Sequence, residues 1–374
     1  MRILAVDQYG ELGGAQRCLA DTIHGFADRG WEVGLAAPAG PLLNLVAPAC
    51  RSTTEIECGP FASGRKTIAD LRRFASQWTN LTGTLRALAG RADLVFVNGP
   101  RVLPASVRAA NGLPIVFHAH SLVAQPLAAR LTRWAIRLGD VFVIATSHYV
   151  AGHFPCRASL VVHNGVSPPR EISGRAGRIR NVAGVGRVAQ EKGQLEFVRA
   201  AHLLRSGLPE VVFTLRGTSL FGKDRYARQV AATARAAGVA IAEWENDPAA
   251  LYRSIDLLVV PSEPIENTPR VILEAFAAGI PVIAYACGGI TELIEDGRTG
   301  VLVRERTPEA LAAAIRQAVG HPWRMEEMAA RALSAWRADF TVERFQRDIC
   351  EAVVEAARRR NRIPEAKSGA MARA

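Results

Sequence analysis

Short apolar segments alternate with amphipathic helical segments along most of the chain, and this alternation restricts the possible folds more than any other feature. Several of the apolar segments are continuous rather than alternating, which is typical of strands covered on both faces. Helical patterns between them predict parallel sheets and an α/β fold. The predicted strands are residues 3–6, 32–36, 93–97, 115–118, 141–145, 160–163, 181–188, 211–215, 239–242, 257–261, 282–285 and 301–303.

The length of 374 residues is too great for one ordinary domain and suits two. Ser167, Pro168 and Pro169 begin a polar stretch between two series of strands, which is the best candidate linker. We therefore predict two doubly wound, Rossmann-like domains, residues 1–167 and 168–335, that face each other across a cleft. An amphipathic pattern follows over 336–362, and 363–374 is expected to form a disordered tail.

Cysteine spacing and hydropathy favour a cytoplasmic protein. The six cysteines include no C-x-x-C and no metal-like spacing, so reduced thiols are expected. The N-terminal strand reaches Asp7 after four apolar residues, too few for the core of a signal peptide. No apolar run approaches the length of a transmembrane helix.

The formal net charge of +11 is carried almost entirely by arginine. Between residues 101 and 180 there are ten arginines and two acids. Three of these arginines recur at helical spacing opposite four apolar residues. We interpret the segment as a solvated helix face packed on a sheet, with an anionic membrane surface as the second interpretation. No stacking motif or recognition helix supports nucleic acid as a partner. The arginines are Arg130, Arg133 and Arg137, and the apolar residues are Leu127, Leu131, Trp134 and Leu138.

Two motifs of the first domain follow predicted strands. Gly13 and Gly14 precede a helical pattern, where glycine amides beside a helix N-terminus can bind phosphate, although an ordinary strand-to-helix turn would look the same. His118 and His120 end another strand and are expected on the same side. Zinc would need a third ligand, and none is spaced nearby. A polar group in contact with a sugar is the more natural interpretation.

A glycine-rich stretch of the second domain, residues 184–193, resembles a dinucleotide fingerprint, but its glycines lie inside the strand pattern. The next apolar run also ends in Arg216 rather than in an acid, so the dinucleotide interpretation fails. What remains is one loop with two cations, Arg187 and Lys192, which suits a diphosphate. Ordinary surface cations are the alternative.

Residues 261–284 contain the most informative motif, a buried strand followed by a polar loop and a helix that begins near Pro269. Glu266 lies in the loop and Glu274 in the first turns of the helix, so both can face one cleft. Carboxylates accept paired hydrogen bonds from vicinal diols, which suits them to sugars. A capping acid plus an exposed helical acid is the alternative. A second glycine-rich turn, 288–292, follows the next strand.

Taken in this order, the motifs resemble the GT-B fold glycosyltransferases of family 4, which are retaining and use nucleotide sugars. The resemblance covers nearly the whole chain, and it implies that the amphipathic segment over 336–362 returns to the first domain. Glu266 and Glu274 match the family's E-x7-E motif, with Glu292 in the turn that follows. Gly13 and Gly14 match its N-terminal glycine loop. The active-site histidine corresponds to His120, the diphosphate-binding pair to Arg187 and Lys192, and the segments closing the first domain to 146–148 and 163–166.

The resemblance implies a role for each of these positions. Arg187 and Lys192, with the amides of Gly13 and Gly14, would neutralise the donor diphosphate, and Glu274 would hold the ribose. Glu266, with the amides of Asn267 and Thr268 after it, would hold the donor sugar, which His120 would also contact. Many family members have a glycine and an aromatic residue where this chain has 267–269, so donor identity stays open.

The resulting prediction is a retaining glycosyltransferase that takes a UDP- or GDP-sugar and acts on a saccharide or lipid-linked acceptor in cell-surface polysaccharide or glycolipid synthesis. The sequence contains no D-x-D, so neither a divalent metal nor another cofactor is expected. A GT-B-like phosphorylase or epimerase would share the phosphate cations, but a phosphorylase needs a lysine for pyridoxal phosphate, and Lys192 is already assigned. A non-catalytic protein that binds nucleotide sugars is the remaining alternative.

Overall fold

The computed structural model describes residues 1–58, 68–154, 156–169, 177–217, 225–242, 248–264 and 267–361. The chain forms two compact units. Unit 1 comprises Met1–Thr146, Ala151–Val162 and Phe345–Ala374, and unit 2 comprises Ser147–Val150 and His163–Arg344. The main transition therefore lies at His163 rather than 168, and the return at Phe345 rather than 336. Glu266 and the tail over 363–374 lie outside the described residues, so the predictions for them stay predictions.

Unit 1 is built on a seven-stranded parallel sheet with the order β3-β2-β1-β4-β5-β6-β7. Its central strands are buried along their whole length, because helices cover both faces of the sheet. Strand order reverses beside β1, which is the doubly wound arrangement that the sequence predicts. The strands are β1 (Arg2–Asp7), β2 (Glu32–Ala37), β3 (Ser52–Glu55), β4 (Leu94–Asn98), β5 (Ile115–Ala119), β6 (Phe142–Ala145) and β7 (Ser159–Val161).

The helices of unit 1 connect successive strands, as right-handed crossovers of a parallel sheet require. Helix α1 packs its buried face, which includes Leu19, Ile23 and Phe26, on the sheet. A short helix, α6, lies where the chain passes between the units. The helices of unit 1 are α1 (Gly14–Asp28), α2 (Pro41–Val46), α3 (Ile68–Ala89), α4 (Leu103–Ala109) and α5 (Pro126–Leu138), whereas α6 (His148–Ala151) belongs mostly to unit 2.

Helix α5 is turned differently from the expectation of its apolar side packed on the sheet. Thr132, Ala135 and Ile136 are its buried residues. The apolar row from Leu127 to Leu138 is exposed instead. The interpretation of this segment as a solvated face over a packed apolar side is therefore wrong.

Unit 2 repeats the architecture on a six-stranded parallel sheet with the order β10-β9-β8-β11-β12-β13. Its core joins the buried strands to helices on both faces. The strands are β8 (Asn181–Val185), β9 (Val212–Arg216), β10 (Ala240–Ala242), β11 (Leu257–Val260), β12 (Val282–Tyr285) and β13 (Val301–Val303). The helices are α7 (Gln194–Leu204), α8 (Arg225–Ala237), α9 (Pro248–Arg253), α10 (Arg270–Ala277), α11 (Ile290–Leu293), α12 (Pro308–Gly320) and α13 (Pro322–Asp339).

The terminal amphipathic segment predicted over 336–362 is two helices rather than one. Trp336 belongs to α13 and to the core of unit 2, and its Nε1 donates to the carbonyl of Val166 at 3.3 Å. Helix α13 ends at Asp339, and α14 (Val342–Asn361) begins two residues after Phe340. Phe345 and Ile349 of α14 are buried in the core of unit 1. The apolar spacing continues through the break, which is why the sequence suggests a single helix.

A helix that crosses a bilayer needs about 20 consecutive, mostly apolar residues. Among the described residues, none of the helices is both long enough and apolar enough to do so.

Candidate active site

The carboxyl edge of a parallel sheet collects the loops that follow its strands, and ligands of doubly wound folds bind there. In unit 1, Asp7 ends β1 and Asn98 ends β4, and the two residues are register partners. His120 directly follows β5, the neighbour of β4. The strand order β1-β4-β5 therefore brings these three side chains to one place.

Asp7 is fully buried at this edge. Its carboxylate accepts hydrogen bonds from the backbone N–H of Tyr9 at 2.8 Å, from Gln16 Nε2 at 3.0 Å and from Asn98 Nδ2 at 2.5 Å. Burial raises the pKa of Asp7 to about 6, and these hydrogen bonds limit the rise because they favour the charged form. Asp7 is thus ionised at neutral pH in a site with little solvent.

Asn98 connects Asp7 to His120 through two hydrogen bonds. Its Nδ2 donates to Asp7 and also lies 3.3 Å from the carbonyl of Ala15, so its Oδ1 faces the opposite way. That oxygen lies 2.7 Å from Nε2 of His120. Because a carbonyl oxygen can only accept, Nε2 of His120 must carry a proton. The arrangement defines both the orientation and the tautomer of this histidine.

His118 differs sharply from His120, although their ring centroids are only 4.0 Å apart. His118 is fully buried and packs against Phe96 and Phe345. Neither of its ring nitrogens has a hydrogen-bond partner among the described residues. Burial lowers the pKa of His118 well below its usual value, and the proximity of His120 adds to the shift. His118 is a neutral core residue. His120 is half-buried and is therefore the histidine that a ligand at the carboxyl edge of the sheet can reach.

The glycine motif forms the start of α1. The Gly13 N–H donates to the Glu11 carbonyl at 3.2 Å and to Gln16 Oε1 at 3.3 Å. This amide is therefore already engaged, which distinguishes it from Gly14, the first residue of the helix. N–H groups in the first turn of a helix have no intrahelical acceptor. Because Gln16 also donates to Asp7, a single buried carboxylate organises both the glycine turn and His120.

In unit 2, the loops that follow β8 and β11 are in direct backbone contact. The N–H of Glu263 donates to the Glu191 carbonyl at 2.9 Å. Gly193 has a φ of 67°, and a Cβ there would lie 1.8 Å from the carbonyl oxygen of Pro261, so only glycine fits. Lys192 lines a narrow recess with Pro261 and Ser262. Lys192 thus lies beside the loop that leads to Glu266.

Arg187 is held by Glu191, a residue of the same motif to which the sequence assigns no role. Arg187 Nη2 donates to Glu191 Oε1 at 2.5 Å, and both side chains are about one-third exposed (33% and 32%). Gln194 Nε2 donates to the Arg187 carbonyl at 2.7 Å. The guanidinium and the backbone of Arg187 are therefore both fixed from the segment that carries Lys192.

Glu274 lies in the second turn of α10 and is also oriented by neighbours. Its Oε2 accepts a hydrogen bond from the Tyr252 hydroxyl at 2.8 Å, and its Oε1 lies 3.8 Å from Arg270 Nε. Burial raises the pKa of Tyr252 well above its usual value, and the Glu274 carboxylate adds to the rise. Tyr252 therefore stays protonated and acts as the donor. This tyrosine gives no signal in the sequence, because it belongs to no motif.

Asn267 and Thr268 follow the position of Glu266 and are both buried. Asn164 Nδ2 donates to Thr268 Oγ1 at 3.2 Å. With its side chain turned into the protein, Thr268 could offer a ligand chiefly its backbone amide.

Glu292 caps the N-terminus of α6. Its two carboxylate oxygens accept hydrogen bonds from the backbone N–H groups of His148 and Tyr149, at 2.8 and 2.7 Å. These are the first residues of α6, where a carboxylate both satisfies unpaired donors and opposes the positive end of the helix dipole. Glu292 thus ties the glycine-rich turn at 288–292 to the start of α6, and all of these residues lie in unit 2.

The structure assembles the predicted residues in two places. In unit 1, His120 and the glycine turn share the Asp7 network, and in unit 2, Arg187 and Lys192 share a segment that contacts the loop before Glu266. Among the described residues, no three histidine, cysteine or acidic side chains are grouped so as to hold a metal ion. The prediction that no metal is used stays a prediction.

Two family models match the chain. The model described as Glycosyltransferase Family 4 matches residues 12–170, and the model described as Glycosyl transferases group 1 matches residues 180–321. Two doubly wound parallel units in one chain, matched in turn by these models, define a GT-B fold protein of the glycosyltransferase class. The chain belongs to glycosyltransferase family 4.

Solved structures agree with this assignment. Alr3699/HepE of Anabaena, solved in complex with UDP-glucose, superimposes with a TM-score of 0.78 at 25% identity, over 95% of this chain and 100% of that chain. Sucrose-phosphate synthase from Thermosynechococcus elongatus superimposes with a TM-score of 0.76 at 18% identity, over 95% and 99%. At 18% identity, the similarity to sucrose-phosphate synthase supports the fold only.

Curated relatives match part of the chain. The D-inositol 3-phosphate glycosyltransferase of Paenarthrobacter aurescens (strain TC1) is 36% identical over 138 residues, which are 35% of this chain and 33% of that protein. The chain thus spans about a third of the length of this curated relative.

Proposed function

We propose that this protein transfers a sugar, with retention of anomeric configuration and without a divalent metal, from a UDP- or GDP-sugar to a saccharide or lipid-linked acceptor. The reaction would take place at the cytoplasmic face of a membrane, in the synthesis of a cell-surface polysaccharide or glycolipid. Family membership supports the chemical class. Alr3699/HepE, solved with UDP-glucose, supports a UDP-sugar as the first donor to test.

The observation that carries the proposal is that the segment after β8 bears two cations, of which Arg187 is held in place by Glu191. Departure of a nucleoside diphosphate builds negative charge on the leaving oxygens, and cations already in position lower that barrier without reorganisation. Arg187, fixed by Glu191, presents such a group, and Lys192 lies beside the β11 loop. No D-x-D occurs in the sequence, so protein groups are expected to meet the phosphate charge.

The remaining roles follow from family membership, residue by residue. Glu274, oriented by Tyr252, would accept hydrogen bonds from the ribose hydroxyls. Glu266, with the amides of Asn267 and Thr268, would hold the donor sugar. His120, whose orientation is set by Asn98, would contact the same sugar.

The first test is donor binding. UDP, GDP and ADP are titrated against the protein by calorimetry, and UDP or GDP is expected to bind. Arg187→Ala should weaken that binding by about 1.5–3 kcal/mol, the range for a charged hydrogen bond. Arg298→Ala is the matched control, because Arg298 pairs with Glu295 on the surface of the same unit. An unchanged dissociation constant in Arg187→Ala would remove this residue from the donor site.

The second test is turnover, measured as release of the nucleoside diphosphate in the presence of saccharide acceptors. Glu266→Ala should abolish release, while the variant still unfolds cooperatively and still binds the nucleotide. A wild-type protein that binds the nucleotide sugar but never releases the diphosphate would favour the alternative of a non-catalytic binding protein. Full turnover in Glu266→Ala would exclude the proposed role of this glutamate.

A further inference from the structure

Helix α5 of unit 1 exposes a continuous apolar row. Leu127, Leu131, Trp134 and Leu138 follow one another at intervals of three or four residues, so they lie on one side of the helix. All four are exposed. Single exposed apolar side chains are ordinary, but a contiguous row that includes tryptophan is typical of an interaction site. We call these four side chains the α5 stripe.

The α5 stripe continues into a recess. A cavity of about 320 Å³ opens beside the C-terminal half of α5, and Trp134 and Leu138 form part of its wall. The other side of the wall comes from α4 and α3, with Val107 and Trp78 as contributors. The apolar surface therefore consists of the exposed row and the cavity beside it, and all of its residues belong to unit 1.

Charge is distributed unevenly around the stripe. Arg130, Arg133 and Arg137 lie on one flank of α5, and Arg130 and Arg137 are exposed. Arg108 lines the recess. The helix itself contains no acidic residue. An apolar row bordered by arginines matches the boundary of a bilayer, where acyl chains lie beside anionic headgroups.

We propose that the α5 stripe and its arginine flank dock unit 1 on an anionic lipid bilayer, with the stripe in the acyl boundary and the arginines at the headgroup phosphates. A second copy of this chain would cover the stripe but bring no acid from α5 to meet the arginines. Lipid satisfies both features, so it is the occupant that the surface favours. The inference rests on the proposed function only in naming the partner surface at which transfer takes place.

The test is co-sedimentation of the full chain with vesicles of phosphatidylcholine alone, and of phosphatidylcholine mixed with an equal part of phosphatidylglycerol. The wild type should bind the mixed vesicles at low salt, bind them less at high salt, and bind the neutral vesicles weakly. Absence of binding to mixed vesicles at low salt would overturn the proposal.

Two double variants separate the apolar from the basic contribution. Leu131→Ser with Trp134→Ser should weaken binding at least about tenfold, because two apolar side chains no longer enter the bilayer. Leu203→Ser with Trp323→Ser is the matched control, since Leu131 and Leu203 are both 45% exposed and Trp134 and Trp323 are both 54% exposed. Equal binding by the stripe variant and this control would overturn the proposal.

Charge is tested with Arg130→Glu and Arg137→Glu together, against Arg235→Glu and Arg316→Glu, which are exposed on helices of unit 2. Both pairs change the net charge equally, so a loss of at least about tenfold in the first pair alone would place the effect on α5. Equal losses in both pairs would reduce the interaction to general electrostatics and contradict docking by α5.

Two further measurements complete the design. Light scattering reports the oligomeric state, and a wild-type dimer that the stripe variant dissolves, without vesicle binding, would assign the surface to a second copy. Titration with UDP and GDP separates this inference from the proposed function. Intact nucleotide binding without vesicle binding contradicts the docking surface alone, whereas vesicle binding without binding of either nucleotide contradicts the proposed donor site.

Discussion

Asp7 places a negative charge in the interior of unit 1, and the fold accommodates it at a cost. Its pKa of about 6 lies above the reference value of 3.8, which corresponds to about 3 kcal/mol of disfavour for the charged form in the folded state. The same carboxylate fixes Gln16 and Asn98. A destabilising charge that orients two neighbours at a sheet edge is typical of a functional site.

The substitution Asp7→Asn should change the tautomer of His120. The amide oxygen of the new side chain would keep accepting from Tyr9 and Gln16, so its NH₂ group would face Asn98 Nδ2, which is also a donor. The Asn98 side chain should therefore turn over and direct its Nδ2 at His120. Nε2 of His120 would then accept, and its proton would move to Nδ1. The ¹⁵N shifts of the imidazole distinguish the two forms, and turnover should fall at least about tenfold.

The histidine His24 provides an internal control for this experiment. Its Nδ1 lies 2.8 Å from the carbonyl of Ala20, far from the Asp7 network, so its tautomer should be the same in both proteins. A His120 that keeps its proton on Nε2 in Asp7→Asn would show that Asn98 does not transmit the effect.

The raised pKa of Asp7 also predicts how stability depends on pH. Between pH 7 and 4 the folded state takes up a proton at Asp7 before the unfolded state does, so the contribution of this residue to the free energy of unfolding increases as pH falls. Urea denaturation should therefore show that the stability of wild type relative to Asp7→Asn rises, by up to about 3 kcal/mol, on acidification.

Asp93 provides a comparison of opposite sign. Its pKa is lowered by its hydrogen bond to Arg2, so its stabilising contribution is lost as pH falls. The difference between wild type and Asp93→Asn should accordingly shrink on acidification. If the stability of wild type relative to Asp7→Asn also decreased on acidification, as expected for Asp93, the raised pKa of Asp7 would be refuted.

At the scale of elements, burial explains what the sequence could predict. All twelve predicted strands are present. The central ones are continuous apolar runs covered on both faces, whereas β7 and β10 are short apolar strands at the sheet edges and stay partly exposed. Among the described residues, the sequence pattern does not predict β3, which lies at the sheet edge and consists of the mostly exposed Ser52, Thr53, Thr54 and Glu55. Such a strand has no hydrophobic pattern to detect, and its pairing with β2 emerges only when the sheet forms.

Site residues divide in the same way. Arg187 and Lys192 belong to a local motif, so their spacing in the sequence is enough to predict them as site residues. Asp7 and Asn98 are 91 positions apart, and only the parallel register of β1 and β4 makes them neighbours. The one usable signal was an acid at the end of a buried strand. Helix α5 shows a related limit, since periodicity reveals an apolar side but not whether a partner covers it.

Glu292 provides a prediction for a single element, α6. Glu292→Ala should remove two charge-assisted hydrogen bonds to His148 and Tyr149 and cost about 1–2 kcal/mol, as for other N-terminal caps. Urea denaturation measures the cost, and hydrogen exchange at the amides of 148–150 should accelerate. Glu295→Ala, an exposed glutamate of the same region, should change stability by less than about 0.5 kcal/mol. Comparable losses in both variants would argue against a capping role.

Helix α14, which lies last among the helices that the structure describes, completes the core of unit 1 after the chain has formed unit 2. Gln346 Nε2 of α14 donates to the Asp21 carbonyl of α1 at 2.9 Å, across 325 positions of sequence. A Cβ at Gly25 would lie 2.8 Å from Cβ of Gln346, so glycine permits the close contact of the two helices. Unit 1 therefore depends on residues that follow the whole of unit 2.

Because each unit has its own hydrophobic core, we predict that a core substitution destabilises only the unit that contains it. Ile349 and Ile315 are both helical and fully buried, the first in the core of unit 1 and the second in that of unit 2. Alanine at either position should cost about 2–5 kcal/mol through lost burial and a residual cavity. Hydrogen exchange followed by mass spectrometry should show faster exchange in α1 for Ile349→Ala, and faster exchange in α7 for Ile315→Ala.

The pair of variants serves as its own control, because residue type, helical context and burial are matched. If the units unfold independently, each substitution accelerates exchange in its own unit and leaves the other at the wild-type rate. If both substitutions accelerate exchange equally throughout, the chain unfolds as one cooperative body. Helix α14 would then stabilise unit 2 as strongly as unit 1, although its buried residues from Phe345 to Ala356 belong to the core of unit 1.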